Sequence, residues 1–391
     1  MVKSFQFSRL PQIHFGTGKL SLLPSLIRGI GSGVLLVTGK HSFTGSPSGA
    51  LLMEKLNREK FLVDHYTIPG EPSPSIINKA VHETDGKRID VVVAIGGGSV
   101  MDAGKAISAM KMLKKDVRDY LEGVGRQQHP GNKIPFIAVP TTSGTGSEAT
   151  KNSVISEIGI EGFKKSLRHD NFVPDIALVD PELTISCPSD ITASSGMDCF
   201  TQLIEAYLSD KSSEYTDALA IEGLKAVKSS LELVYKDGNN IRARTDMSFA
   251  ALTSGICLAN AGLGAIHGFA SSVGAAFEIP HGVICGTLMA IANEVNIRVL
   301  RETQENPTAM RKYSYLGKLF LDEKDRSDDY YINGFIEYLH QLTEELKIPT
   351  LKSFGIENNI VELICSKTEI KNNPVKLSID DLAEIIMGRI E

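Results

Sequence analysis

Between residues 30 and 180, short apolar runs rich in β-branched residues alternate with amphipathic stretches. Val34-Leu35-Leu36-Val37-Thr38 leads into a Gly/Ser loop, and Val91-Val92-Val93-Ala94-Ile95 runs straight into Gly96-Gly97-Gly98. Ile134-Pro135-Phe136-Ile137-Ala138-Val139-Pro140 runs into Thr141-Thr142-Ser143-Gly144-Thr145-Gly146, and Ile176-Ala177-Leu178-Val179 is stopped by Asp180-Pro181. Runs that are apolar throughout need cover on both faces. Strands of this kind ending in Gly/Ser/Thr turns predict a buried parallel sheet with crossover helices. After residue 186 the period changes. Segments 195–208, 215–235, 242–261 and 328–346 carry apolar residues at helical spacing. Pro188-Ser189-Asp190 offers a helix start with Ser189 or Asp190 as N-cap. Ile279-Pro280-His281-Gly282 reads as a loop, as does Asn372-Asn373-Pro374, and a last helix starts near residue 379. The expected organisation is an α/β domain over 1–185 and an all-α domain over 186–391.

Composition narrows what such a chain does. A hydrophobic share of 42% in 391 residues is too high for a disordered chain. A net charge of −6 lacks the basic footprint of a nucleic-acid binder. The five cysteines are scattered and none sits in a CxxC, which speaks against a disulfide framework and for a reducing, cytoplasmic compartment. No apolar run reaches about 18 residues, so no membrane helix is expected. The N-terminal residues show no signal peptide.

The glycines sit where chemistry is expected. Gly96-Gly97-Gly98-Ser99 follows a strand, and Asp102-Ala103-Gly104-Lys105 opens a helix. Glycines let the backbone turn tightly, and free N–H groups at a helix start favour a phosphate. A triple glycine alone is an ordinary strand-to-helix turn. A second such loop, Pro140-Thr141-Thr142-Ser143-Gly144-Thr145-Gly146-Ser147-Glu148, at the end of another strand suits a dinucleotide lying across the sheet edge. Neither loop is GxGxxG or a Walker phosphate loop.

Together these segments resemble the two nucleotide-binding signatures of the iron-containing alcohol dehydrogenase family. Ile13-His14-Phe15-Gly16-Thr17-Gly18, Phe163-Lys164-Lys165, Val179-Asp180-Pro181-Glu182-Leu183-Thr184 and Asn373-Pro374 fall at that family's intervals, so the resemblance covers essentially the whole chain. It implies an N-terminal dinucleotide-binding domain with a parallel sheet, a helical metal and substrate domain, and a homodimer. It implies that Gly97, Gly98 and Ser99 hold the pyrophosphate, with Asp102 and Lys105 flanking that turn. Thr141, Thr142 and Lys164 would line the nicotinamide and ribose side, with Thr145 in the same set. Where the family often has an acidic residue after the first strand, this chain has Gly39, followed by Lys40, His41 and Ser42. Losing that carboxylate removes repulsion against a 2′-phosphate, which favours NADP(H); the alternative is that Gly39 only makes a turn and NAD(H) binds.

Asp198 and Gln202 are four residues apart in a helical stretch and share a face. His267 and His281, read on their own, are more often ordinary core or surface histidines. Matched to the family, Asp198, His267 and His281 fall on three of the four metal ligands, and Gln202 stands where the fourth is usually histidine. A neutral amide oxygen is a weaker and harder donor than imidazole. Iron(II) or zinc(II) would be held less tightly, and a metal-free site is an alternative. Gln202 belongs to a Thr-Gln-x-x-Glu pattern at 201–205 shared by several dehydrogenase-like sequences. The family's proton-passing histidine, one turn after His267, is Ser271 here, which could act only through water. Cys285 is read mainly as a small buried residue, with a place near the site as the alternative. The expected activity is metal-assisted hydride transfer between a nicotinamide and a small alcohol or aldehyde. Rival readings are a glycerol or polyol dehydrogenase, a dehydroquinate synthase-like lyase, and a metal-free nucleotide-binding protein.

Overall fold

Each apolar run becomes a strand covered on both faces in the computed structural model, which describes residue 2 and residues 4–40 and 42–390. The elements of the first half are β1 (Gln12–Phe15), α1 (Leu23–Arg28), β2 (Gly33–Gly39), α2 (Pro47–Arg58), β3 (Leu62–Ile68), α3 (Pro74–Glu83), β4 (Val91–Gly96), α4 (Gly98–Met110), β5 (Phe136–Pro140), β6 (Asn152–Glu157), β7 (Phe163–Arg168) and β8 (Ile176–Val179). Six of these strands form one parallel sheet in the order β1-β8-β5-β4-β2-β3. Alternate side chains go to opposite faces. Val34, Leu36, Val93, Ile95 and Val139 pack on Leu23, Ile27, Leu52 and Leu56 of α1 and α2. Leu35, Val37, Val92, Ala94 and Ala138 pack on Ile77, Ala80, Met101 and Ile107 of α3 and α4.

From β2 the chain steps outward to β3 and then returns to β4 on the other side. The carboxyl ends of β2 and β4 therefore flank a switch point, where ligands of open α/β sheets bind. Gly39 ends one strand and Gly96 the other. The antiparallel hairpin β6–β7 was not expected. Its strands, NSVISE and FKKSLR, are too polar to read as sheet, and one side is covered by α4 and α8 rather than by a sheet partner.

The second half is helical: α5 (Ser189–Leu208), α6 (Glu214–Lys236), α7 (Ile241–Ala261), α8 (Ala265–Ala276), α9 (His281–Thr303), α10 (Pro307–Phe320), α11 (Asp328–Glu345), α12 (Val361–Lys367) and α13 (Ile379–Met387). Two local expectations fail. α5 begins at Ser189 with Pro188 in the cap position and no side-chain cap, because Ser189 and Asp190 are already helical. His281 and Gly282 are not loop but the first turn of α9, started by Pro280, whose ring cannot sit further inside a helix. α5 is buried continuously from Gly196 to Leu208, so polar side chains on it are forced into protein contacts. α9 bears on the membrane expectation. It is long enough and apolar enough to cross a bilayer, with mean hydropathy 1.4, yet 83% of that stretch is buried inside the protein. Asn293, Glu294, Asn296 and Arg298 break the run residue by residue, which hides its average. α7 and α8 pass the same criterion only jointly, and they are bent by 98°.

The loop after β5 joins the halves. Gly146 has φ +60°, and a Cβ on Gly255 of α7 would lie 2.1 Å from the Gly146 carbonyl oxygen. Ser143 Oγ lies 3.2 Å from Ser248 Oγ, and Ser254 Oγ lies 3.4 Å from the Gly144 carbonyl oxygen, both Ser248 and Ser254 belonging to α7. Gly255→Ala is expected to destabilise the chain by about 1–3 kcal/mol through overpacking. Gly70→Ala, where a Cβ meets nothing within 4 Å, is expected to be near neutral. Thermal unfolding of the two variants beside the parent measures the difference.

Candidate active site

Three helices aim donor atoms at one point. Asp198 comes from the buried stretch of α5, His267 from the first turn of α8, and His281 and Cys285 from the first turns of α9. Asp198 Oδ1 lies 3.4 Å from His267 Nε2 and 3.6 Å from His281 Nε2. Cys285 Sγ lies 3.8 Å from each of those two nitrogens. All four donor atoms fall within 4.8 Å of one another.

Glu205 supports this cluster from behind. Its Oε1 accepts from the Ile266 amide at 2.7 Å, and its Oε2 lies 2.6 Å from His267 Nδ1. A carboxylate only accepts, so Nδ1 carries a proton and donates it, which leaves Nε2 to face the cluster. There Nε2 meets Asp198 Oδ1, a buried atom that accepts no well-formed hydrogen bond. Two acceptors at this distance repel unless a proton or a metal cation lies between them.

Proton affinities follow the same logic. Burial pushes Asp198 up, but His281 and His267 outweigh it and hold its carboxyl below the usual range. Burial pushes His267 down, yet Cys285, Glu205 and Asp198 raise it well above the ordinary imidazole value. Burial takes His281 down to about 4 and the Cys285 thiol up to about 12. The pocket calls for positive charge, and its residues fit a divalent cation.

Gln202 lies one turn from Asp198, but its amide nitrogen donates to the Thr145 carbonyl at 3.1 Å and to Ser254 Oγ at 2.8 Å. The carbonyl can only accept, so the nitrogen must face that loop. Ser271 lies one turn after His267, exposed, with its hydroxyl donating to the His267 carbonyl at 3.1 Å.

The glycine turn and the β5 loop meet at the sheet edge. α4 starts after Gly97 with no side-chain cap, and its first amides have no partner within the helix. A Cβ on Gly97 would lie 3.3 Å from Thr142 Oγ1, and one on Gly98 would lie 2.9 Å from Thr145 Cγ2. Gly97, Gly98, Ser99, Thr141, Thr142 and Thr145 are all half-buried. Gly39 adjoins them: a Cβ there would lie 3.7 Å from Ser42 Oγ and 3.9 Å from Val100 Cγ2 on α4. Lys40 and Ser42 are exposed, and His41 lies outside the described residues.

Asp102 and Lys105 turn into the protein. Asp102 accepts from Ser147 Oγ at 2.7 Å and the Val154 amide at 3.1 Å. The buried Lys105 ammonium donates to the Ser147 and Asn152 carbonyls, each at 2.8 Å, and its contacts also include Ser147 Oγ and Thr150 Oγ1. Lys164 Nζ is held by both oxygens of Glu71, at 2.8 and 3.0 Å, and both charges bear on His281.

Sequence reasoning missed Glu205 and Glu71 as supporting groups; Cys285 is buried, as read, and also lies beside the two histidines, the alternative reading. Glu205 had a signal, its place in Thr-Gln-x-x-Glu one turn beyond Gln202; Glu71 had none. A groove of about 770 Å³ lined by Glu294, Arg298, Arg301 and His340 lies elsewhere, between α9, α11 and α13. Glu294 is 13 residues from His281 along α9, about 20 Å at the helical rise.

Comparison with known proteins agrees with this arrangement. The model of the iron-containing alcohol dehydrogenase matches residues 11–181, and that of the C-terminal region of the Fe-containing alcohol dehydrogenase family matches residues 192–389. The chain is 31% identical over 356 residues to long-chain-alcohol dehydrogenase 1 of Geobacillus thermodenitrificans, covering 90% of this chain and 87% of that protein. It is 32% identical over 331 residues to alcohol dehydrogenase 4 of Saccharomyces cerevisiae, covering 82% of each. The structure of an alcohol dehydrogenase from Oenococcus oeni superposes with TM-score 0.88 at 26% identity, over 99% of this chain and 100% of the other. With parallel sheet, helical half, paired loops and a cation-seeking cluster in place, the chain belongs to the iron-containing alcohol dehydrogenase family, whose members are nicotinamide- and metal-dependent alcohol oxidoreductases.

Proposed function

We propose that this alcohol dehydrogenase interconverts a small alcohol and its aldehyde with NADP(H) in preference to NAD(H), using iron(II) or zinc(II) held by Asp198, His267 and His281. The observation that carries the reading is the convergence of Asp198 Oδ1, His267 Nε2 and His281 Nε2 on one point, with Asp198 Oδ1 unsatisfied. When bound, the metal supplies Lewis acidity toward the substrate oxygen, and the nicotinamide supplies or takes the hydride. The chain's own residues do the rest. The free amides of Gly98 and Ser99 at the start of α4 hold the pyrophosphate. Thr141, Thr142 and Thr145 bound the cofactor channel, and Lys164, held by Glu71, presents a positive charge at its nicotinamide end. Glu205 keeps the His267 proton on Nδ1. Ser271 passes protons to solvent only through water, because a hydroxyl does not titrate near neutrality.

The NADP(H) preference is supported by Gly39 at the switch point, beside Ser42 and the first turn of α4. Asp102 and Lys105 shape the turn from within rather than reaching the nucleotide. The division near residue 185 into a nucleotide-binding unit and a helical metal unit follows from this assignment. A cytoplasmic setting is supported by five cysteines without a disulfide. The homodimer is carried by the resemblance to the family alone.

Asp198→Ala is expected to abolish aldehyde-dependent NADPH oxidation and to lose bound metal while keeping the parent's circular dichroism. Full turnover in the metal-stripped variant would overturn the metal role. Glu205→Gln is expected to weaken zinc binding by about 10–100-fold, the usual cost of removing a group that orients a ligating histidine, as read by competition with a chromogenic chelator. Gly39→Asp is expected to lower kcat/KM for NADPH by about 100-fold, since like charges set side by side cost several kcal/mol, and to spare or raise that for NADH. Equal efficiency with NADPH before and after the change would remove Gly39 from cofactor selection.

A further inference from the structure

We propose that Cys285 is a metal ligand beside Asp198 Oδ1, His267 Nε2 and His281 Nε2, with Gln202 anchored through its amide nitrogen to the loop after β5. This rests on the reading of Asp198, His267 and His281 as a metal site, and it adds a donor that the resemblance did not supply.

The first argument is distance. Zinc–nitrogen and zinc–oxygen bonds of about 2.05 Å and a zinc–sulfur bond of about 2.3 Å give tetrahedral edges of about 3.3 Å between N and O and about 3.6 Å between N and S. The observed edges are 3.4 and 3.6 Å from Asp198 Oδ1 to the two imidazoles, and 3.8 Å from Cys285 Sγ to each. These four edges are within about 0.3 Å of the expected ones and all four donor atoms lie within 4.8 Å of one another, so the set fits a metal that expands to a fifth position for the substrate oxygen. Placement agrees: His281 and Cys285 are four residues apart on α9 and share a face, as Asp198 and Gln202 do on α5. Cys199, adjacent to Asp198 on α5, does not share its direction.

The second argument counts protons. A thiol has one hydrogen and can serve only one of the two imidazole nitrogens beside it. Asp198 Oδ1 then stays buried and unsatisfied. One divalent cation satisfies all four donors. Ligation exchanges the S–H bond for a sulfur–metal bond and releases the proton to solvent, with no change of oxidation state. Gln202 is meanwhile engaged through its amide nitrogen with Thr145 and Ser254. A thiolate also selects zinc or cobalt over hard ions such as magnesium.

The test loads metal-free full-length protein with cobalt(II) and records its spectrum, with zinc affinity measured by chelator competition. The expected result is a near-ultraviolet sulfur-to-cobalt charge-transfer band alongside the visible ligand-field bands. Cys285→Ala and Cys285→Ser should lose the charge-transfer band, keep ligand-field bands, and weaken zinc binding by about 100-fold or more. Gln202→Ala should keep the charge-transfer band. Thermal unfolding of the metal-free variants checks that they fold, and the parent spectrum decides the matter even if one does not. Ligand-field bands without a charge-transfer band in the parent would overturn the assignment of Cys285 while leaving the metal site standing. Absence of cobalt binding in the parent would overturn both.

Discussion

The segment from Thr141 to Gly146 is the contact on which the active site's geometry depends. On one side Thr142 and Thr145 lie against the glycine turn that starts α4. On the other, Gly146 meets Gly255 backbone to backbone, Ser143 and Gly144 are bonded to serines of α7, and the Thr145 carbonyl accepts from Gln202 on α5. No side chain separates the two halves at Gly146, so the spacing there is set by van der Waals contact between main chains. Gln202 carries that spacing to Asp198, one turn away on the same buried helix. Beneath the loop, the Lys105 ammonium and the Asp102 carboxylate both grip Ser147, locking α4, the loop and β6 into one unit. The register between the glycine turn and the donor cluster is thus set by main-chain contact at Gly146 and Gly255 and relayed by the buried Gln202 amide.

Much of this was legible in the sequence. Val91–Ile95 and Phe136–Val139 are apolar at every position, which demands cover on two faces and hence a parallel sheet. The Asp198 and Gln202 pairing follows from helical spacing alone. Other features were not legible because they depend on contacts between distant segments. The β6–β7 strands are polar and owe their existence to α4 and α8. His281 and Gly282 beside Pro280 look like a turn, yet Pro280 starts a helix. Glu71 is 93 residues from Lys164, and nothing in either neighbourhood announces the pair. Cys285 looked like a small core residue, and by burial it is one; its sulfur is distinguished only by the two imidazoles facing it.

The two histidines are held by different means. His267 is held from behind by Glu205, which fixes the proton on Nδ1 and directs the other nitrogen inward. His281 has no such partner, and its Nδ1 is buried without a hydrogen bond. It is instead the first residue of a 23-residue helix, where the positive end of the helix dipole disfavours an imidazolium. Burial and the nearby Lys164 work in the same direction, bringing His281 down to about 4. A neutral ring keeps its lone pair available at any pH near neutrality. At His267, by contrast, Cys285, Glu205 and Asp198 raise the proton affinity against the effect of burial. The two imidazoles therefore differ in proton affinity, His267 being raised and His281 lowered. A helix start on α9 and a buried carboxylate on α5 contribute to that difference in opposite directions.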